Sequence, residues 1–294
     1  MMMNPFPRAR LSARHILMVV SAKGGVGKST VTVNLAAALT ARGLKVGIFD
    51  ADLHAPNIPA LLGVRQSQRL AEGRNPTAMF AIDARPDALD MRPLPAFQRY
   101  GIGVMSLGLL VGDRQAITPN PAEVGNLIGL LLARIDWGGV DVLLIDMPPG
   151  TGEPLNTLLE NRLVDAALLV ALRENLSHLD NGRLISVLKR KLTPILGVVE
   201  NMTHVICPNC GEHIDLYPAP AAEQAVYGDA PILGAIPFHS QLIRQNRAGK
   251  PIALADPSSP AAVALLALAD EVITRMKVTP PAPPPVDEDC IDCP

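Results

Sequence analysis

The stretch that most constrains the fold is Ile16–Ser21, which runs straight into the glycine-rich segment AKGGVGKST at 22–30. An apolar run without polar alternation reads as a strand covered on both faces, and that demands a sheet with helices on either side. The pattern recurs in HILMVV, KVGIFD, IGVMSL, VDVLLIDM, AALLVAL and ILGVVE. Helical stretches lie between these runs, the first spanning Thr30–Arg42 with Gly43 just past its end. The alternation predicts an α/β fold, a doubly wound and mainly parallel sheet flanked by helices. Ligands of such sheets sit at the carboxyl ends of the strands.

Ala22 through Ser29 nearly meet the pattern Gly-x-x-x-x-Gly-Lys-Ser/Thr, with Ala22 in place of the first glycine. Gly24, Gly25 and Gly27, with Val26 among them, let the backbone turn its N–H groups inward onto phosphate oxygens. The helix that follows adds partial positive charge at its N-terminus. Lys28 is expected to reach the β- and γ-phosphates, Ser29 to hold Mg²⁺ through its hydroxyl, and Thr30 to meet the α-phosphate. A glycine-rich turn without a ligand is the alternative, disfavoured by the strand before it and the helix after it.

Mg²⁺ takes hard oxygen ligands and keeps several waters. Asp146 closes VLLID and is the natural partner to orient metal-bound water. Asp50 and Asp52 end the FDAD run; one is expected to position the attacking water while the other supports the metal shell or caps the next segment. Gly150, after Pro148-Pro149, is placed to sense a γ-phosphate through its N–H.

The 294 residues suit one large α/β domain, and 48% apolar content supplies its core. Aromatics are only 3%, so aliphatic side chains must do the packing. A net charge of −2 without a basic block argues against nucleic acid as a partner. No apolar run reaches the ~18 residues of a membrane span, so no membrane association is expected. Arginines precede the first apolar run, but no cleavage site separates that run from the glycine loop, so a cytoplasmic protein is expected. Residues 65–97 read as an irregular excursion with a short hairpin, and 203–220 as a second interruption. Helices are expected to resume near Ala221, Ser240 and Pro260. The resulting division is a tail at 1–13, a domain at 14–277 with a cysteine-pair insertion near 203–220, and a Pro-rich acidic tail at 278–294.

A second lysine, Lys23, stands five residues before Lys28. With it, KGGVGKST resembles the deviant Walker A motif of the ParA/MinD-like P-loop ATPases. That resemblance implies ATP as ligand, slow hydrolysis, and a Lys23 that reaches across a homodimer interface to the partner's nucleotide. A cation supplied in trans neutralises transition-state charge only when two subunits close. Lys23, Lys28, Asp50 and Asp52 thus form the expected catalytic set. Within the class, FDADLHAPNIPALLG, GVMSLGLLV, DVLLIDMPPGTGE, ILGVVENMTHVICPNCGE and LGAIPFHSQLIRQNRAGKP resemble the Mrp/ApbC iron–sulfur cluster carriers. The resemblance covers most of 14–252. It implies that Asn201 recognises adenine with Pro237 beside the base, that Cys207 and Cys210 share a 4Fe–4S cluster with their symmetry mates, and that apo iron–sulfur proteins are the clients. The chain departs from the family at Ala55 and Asn57, where Gly and Ser are usual, and at LVALREN, where Thr-Pro-Gln-Asp is common.

The four cysteines form two Cys-x-x-Cys pairs, Cys207/Cys210 and Cys290/Cys293. Such pairs in a reducing compartment point to metal or redox chemistry. A cubane cluster needs four thiolates, so the first pair requires a second copy or other ligands. CPNCG is also a zinc-ribbon knuckle, and the two pairs of one chain could close a zinc tetrahedron, with His204 and His213 as further candidate ligands. Asp287, Glu288, Asp289 and Asp292 crowd the terminal pair and should raise its thiol pKa. That pair is expected either to handle clusters or clients or to be inert. The alternatives to a cluster carrier are a ParA/MinD-like positioning ATPase and a zinc-stabilised regulatory ATPase.

Overall fold

The apolar runs named above all form strands. The computed structural model describes residues 11–53, 55–64, 94–106, 109, 121–207, 209–217 and 227–280. In chain order the first half comprises β1 (Ala13–Val20), α1 (Lys28–Ala41), β2 (Val46–Asp50), α2 (Ile58–Leu61), β3 (Leu94–Pro95), β4 (Phe97–Arg99), β5 (Ile102–Ser106), α3 (Pro121–Arg134), β6 (Ile135–Asp136) and β7 (Val140–Asp146). There follow α4 (Glu153–Glu160), β8 (Ala166–Ala171), α5 (Asn175–Arg190), β9 (Ile195–Asn201), β10 (His204–Ile206), β11 (His213–Asp215), β12 (Ile232–Ile236), α6 (Ser240–Ala248), α7 (Ile252–Ala255) and α8 (Pro260–Met276).

The main sheet has the order β12-β9-β8-β1-β7-β2-β5-β4, parallel except for β4, which pairs antiparallel with β5 at one edge. Side chains of each central strand alternate between two cores. Leu17 and Val19 of β1, Val142 and Leu144 of β7, and Leu168 and Val170 of β8 join α1 and α8 on one face. Ile16, Met18 and Val20, Leu143 and Ile145, and Ala167 and Leu169 join α3, α4 and α5 on the other. All of these side chains are essentially inaccessible, which is why the strands read as unbroken apolar runs. Truncating one of the leucines to Ala would cost about 2–5 kcal/mol.

The strand order reverses at β1, which lies between β7 and β8, and β2 is reached only past β7. This crossover opens a crevice beyond the carboxyl ends of β1, β2 and β7. The loop 22–27 therefore lies beside the ends of the two carboxylate-bearing strands. Helix α1 begins at Lys28, two residues earlier than the sequence suggests, and ends before Gly43, whose φ is 83°. The buried Asn34 of α1 donates to the Thr30 carbonyl (2.9 Å) and accepts from the Ile252 N–H (2.7 Å), tying the phosphate-loop helix to α7.

Helices begin at Ser240 and Pro260 as expected; the helix expected near Ala221 lies outside the described residues, as does most of 65–97. The described hairpin near that excursion is β4–β5, turning at Tyr100–Gly101. The 203–220 interruption contains a two-stranded antiparallel hairpin, β10–β11. Strand β12, which overlaps the start of LGAIPFHSQLIRQNRAGKP, is not anticipated by the sequence. Gly234 interrupts it, and Ile232 at its start is partly exposed, as suits an edge position.

Candidate functional site

The glycine loop gets its shape from two left-handed residues, Gly25 (φ 81°) and Gly27 (φ 84°). At Gly27 the reason is twofold. Non-glycine residues are strained at that φ, and a Cβ there would fall 2.3 Å from Nδ2 of Asn201. The Ser21 hydroxyl donates to the Lys23 carbonyl (3.0 Å), and the Gly150 N–H donates to the Ser21 carbonyl (2.9 Å). Gly150 thereby joins the end of β1 to the loop after β7.

Asp146 is the hub of the pocket. Its carboxylate is inaccessible to solvent; Oδ1 meets Lys28 Nζ at 2.8 Å and Oδ2 accepts from the Ser29 hydroxyl at 2.6 Å. Thr32, one helical turn beyond Lys28, donates to Asp146 Oδ1 at 2.8 Å and approaches the Lys28 carbonyl at 3.0 Å. The expected phosphate-binding cation and the expected metal-binding hydroxyl thus converge on one carboxylate.

Asp50 stands directly across from Asp146 on one side and Ser106 on the other. It is fully buried. Oδ2 accepts from the Ser106 hydroxyl (2.9 Å) and the Ile58 N–H (3.3 Å), and Oδ1 from the Asp52 N–H (3.2 Å). Burial pushes its pKa up to about 8, and the neighbouring Asp146 adds to the rise; the hydrogen bonds and Lys28 oppose it without cancelling it. At neutral pH Asp50 holds its proton. Asp52 is only half-buried, and its Oδ1 accepts from the Ala55 N–H at 3.1 Å. Of the two, Asp52 is the one solvent can reach.

Asn201 ends β9 beneath the loop, with its Nδ2 donating to the Val26 carbonyl at 2.8 Å. Pro237 is buried just past β12, where the Ile236 carbonyl receives the Thr203 N–H at 3.1 Å. The Thr30 hydroxyl accepts from Asn246 Nδ2 of α6 at 3.2 Å. Lys23 points along α5, its Nζ 3.8 Å from Asp180 Oδ2; both side chains are about one-third exposed. Asp180 also pairs with Arg183 at 3.1 Å.

Three residues past Asn201 the chain enters β10, and Cys207 and Cys210 occupy the hairpin turn. The Cys207 N–H donates to the Glu212 carbonyl and the Gly211 N–H to the Cys207 carbonyl, both at 2.9 Å. Both cysteines are unpaired thiols, Cys210 exposed. The Cys207 thiol lies below its ordinary pKa, first because the Cys210 N–H donates to it and then because the Asn209 N–H does. Among the described residues no group of three or more His, Cys, Asp or Glu is placed to hold a metal ion. The imidazoles of His204 and His213 stack at 4.6 Å between ring centroids on the hairpin itself. Behind it, Arg173 pairs with the buried Glu200 at 2.5 Å, and Tyr227 donates to the same carboxylate at 3.3 Å.

The structure therefore gathers the loop, Lys28, Ser29, Asp50, Asp52, Asp146, Gly150 and Asn201 around one crevice. Cys290 and Cys293 lie outside the described residues. Sequence reasoning missed Thr32, Ser106 and Asp180. Thr32 had a signal, since position i+4 from Lys28 shares its helix face. Ser106 and Asp180 had none, because only strand register and helix packing bring them in.

The family model described as NUBPL iron-transfer P-loop NTPase, of the ParA type, matches residues 12–273. The chain is 36% identical over 265 residues to the iron-sulfur cluster carrier protein of Pyrococcus abyssi, covering 90% of this chain and 87% of that one. It is 33% identical over 270 residues to the mouse iron-sulfur cluster transfer protein NUBPL, covering 91% and 79%. Among solved structures it resembles an Archaeoglobus fulgidus nucleotide-binding protein in complex with ADP (TM-score 0.68, 31% identity, 88% and 96% coverage). It also resembles the septum site-determining protein MinD of Pyrococcus horikoshii complexed with Mg-ADP (TM-score 0.61, 28% identity, 88% and 95% coverage).

Proposed function

The chain belongs to the NUBPL iron-transfer P-loop NTPase family, and from that premise we propose that it is an ATP-dependent carrier that assembles a labile iron–sulfur cluster between two copies of itself and transfers it to apoproteins. The observation that carries this reading is the continuity of β9 with the cysteine hairpin. Asn201 grips the phosphate loop, and Cys207, with its lowered thiol pKa, follows six residues later. Two thiolates per chain are half of what a cubane requires, so a second copy supplies the rest. A cluster held by two such pairs, each with Cys207 part-buried and Cys210 exposed, can be released to a client, which suits a carrier.

In the crevice, inward N–H groups of 24–27 and the start of α1 would hold the phosphates, and Lys28 would move from Asp146 to the β- and γ-phosphates. Ser29 and Asp146 fit Mg²⁺: two hard oxygens lie 2.6 Å apart at the end of β7. When bound, the ion would neutralise triphosphate charge. Asp52 would orient the attacking water, and Asp50, protonated and fixed by Ser106, would support the metal shell. Asn201 would meet adenine with the amide oxygen that does not face Val26, and Pro237 would flank the base. Lys23 would leave Asp180 and reach the partner's nucleotide when two copies close. Hydrolysis need not be fast, since a switch requires only different affinities in two states.

The test is anaerobic reconstitution of the full chain, with iron, sulfide and zinc analysis, mass determination, and transfer to an apo-ferredoxin with and without ATP. A dimer holding iron and sulfide, emptied by Cys207→Ala with Cys210→Ala, is the expected result. Stoichiometric zinc without iron or sulfide, or a loaded monomer, overturns it. Co-sedimentation with DNA or liposomes only when ATP is present would instead favour a positioning ATPase.

A further inference from the structure

Glu200 is a buried carboxylate that neither the nucleotide site nor the thiols employ. It is 1% exposed. It is the penultimate residue of β9, in register with Ala171 at the end of β8 on one side and with Ala235 of β12 on the other. A carboxylate in such a place is costly unless it is paired and well bonded. Arg173, two residues past β8, supplies the pair: its Nε donates to Oε2 at 2.5 Å, and its side chain is 19% exposed. The buried Tyr227, on the approach to β12, donates its hydroxyl to Oε1 at 3.3 Å. Separate stretches of chain are thus pinned to one side chain, and the carboxyl end of β9 is fixed in place.

The residues that follow lead from the phosphate loop to the cysteines. Asn201 donates to the Val26 carbonyl. Met202 holds left-handed backbone at φ 54°, which a non-glycine residue occupies under strain. Its Cε lies 3.3 Å from the point where a Cβ on Gly27 would stand, so it rests against the loop as Asn201 does. Thr203 is wholly buried; its N–H donates to the Ile236 carbonyl at 3.1 Å, and its carbonyl accepts from the Leu216 N–H, at the foot of the hairpin, at 3.0 Å. The Thr203 hydroxyl meets His204 Nδ1 at 2.8 Å. A strained residue therefore stands between two bonded ones, with the loop on one side and the hairpin on the other. Arg173 is felt at the hairpin too: His204 lies below its ordinary pKa chiefly through burial and then through His213, and Arg173 adds to this while Asp215 opposes it.

On the reading above of a nucleotide-driven carrier, we propose that Arg173 is a positioning residue for the thiol site. By holding Glu200 it makes the end of β9 a fixed point, so that a displacement of the phosphate loop on nucleotide binding passes through Met202 into the hairpin of Cys207 and Cys210. A lever transmits only where its fulcrum is stiff. With Glu200 bonded from two sides, movement at Gly27 and Val26 reaches Thr203 and His204; with Glu200 loose, the strand end takes it up.

Alkylation of Cys207 in the iron-free full chain tests this, read by mass spectrometry of the peptide that carries it, with and without saturating ATP and Mg²⁺. In the parent, nucleotide should change the rate by about fivefold or more. Arg173→Met with Glu200→Gln removes the pair without leaving a buried charge unpaired. This double variant should still bind ATP by calorimetry but alkylate at the same rate with and without it. Arg173→Lys keeps the charge but not the planar fork, and should keep part of the parent's ratio. Met202→Gly, which frees the joint, should bring the ratio towards one. A purely structural pair would shift both rates alike and leave their ratio intact. The full parent ratio in either the double variant or Met202→Gly overturns the proposal, as does a parent ratio of one. Because the thiols are read without metal, the outcome is separate from the carrier reading. A chain that loads only zinc, with a ratio that depends on Arg173, overturns the carrier and keeps the lever; a loaded dimer whose ratio ignores Arg173 does the reverse.

Discussion

Replacing Asp50 by Asn should change stability in a pH-dependent way that reverses sign. In the folded chain the Asp50 carboxyl titrates at about 8 rather than 3.8, because burial and Asp146 both disfavour its charge. Its folded pKa is raised, so the folded protein keeps a proton that the unfolded chain sheds above pH ~4. The stability associated with that proton is complete below pH ~4 and is lost as pH climbs to about 8. Roughly four pH units at about 1.4 kcal/mol each set a ceiling of ~6 kcal/mol. Asn carries no charge and escapes this loss. It can still present an oxygen to Ser106 and Ile58, but its NH₂ then faces the Asp52 N–H that Oδ1 had accepted. That mismatch takes back ~1–3 kcal/mol. The variant should therefore be less stable than the parent near pH 4, cross it between about pH 4.5 and 6, and exceed it by ~3 kcal/mol above pH 8. Urea unfolding of nucleotide-free protein in a chelator, from pH 4 to 9, reads the difference. A stability gap that does not vary with pH would show that Asp50 is ionised in the folded protein, and the reasoning would fail.

Gly27→Ala should lower ATP affinity at least tenfold by calorimetry, since its Cβ would displace Asn201 and take a strained φ; wild-type affinity would refute the described loop geometry. Thr32→Val should cost ~1–3 kcal/mol of unfolding free energy and raise the Mg²⁺ needed for half-maximal hydrolysis, because a buried carboxylate oxygen loses a donor. An unchanged Mg²⁺ requirement would mean that Thr32 does not position Asp146. Asp180→Ala frees Lys23 from its partner within the chain and should shift ATP-dependent dimerisation to lower protein concentration by about two- to fivefold in analytical ultracentrifugation. Lys23→Ala should abolish ATP-dependent dimerisation while leaving ATP binding within about twofold, and a loss of binding would place Lys23 in its own subunit's pocket.

Much of this arrangement is legible in the sequence because it rests on local pattern. β1, β2, β7, β8 and β9 bury both faces, so their composition alone marks them. The loop needs Gly25 and Gly27 at positive φ, and that requirement is visible as spacing. Lys28, Ser29 and Asp146 could be paired on paper because strand ends are known ligand sites. What escaped depends on how elements meet. Ser106 matters only because β5 aligns it with Asp50, and Asp180 only because α5 passes Lys23. Arg173 reads as a loop residue, yet it closes on Glu200 across the ends of β8 and β9. The protonation of Asp50 is likewise invisible in FDAD, where two aspartates look equivalent until burial separates them.

The hydrogen bond from Asn201 to the Val26 carbonyl has a thermodynamic corollary. If the hairpin six residues on is coupled to the nucleotide through this contact, the coupling is symmetrical. Stripping iron from the thiols would then alter the grip on adenosine phosphates by the factor with which those phosphates alter the grip on iron. Cargo and fuel would report on one another through a single carboxamide.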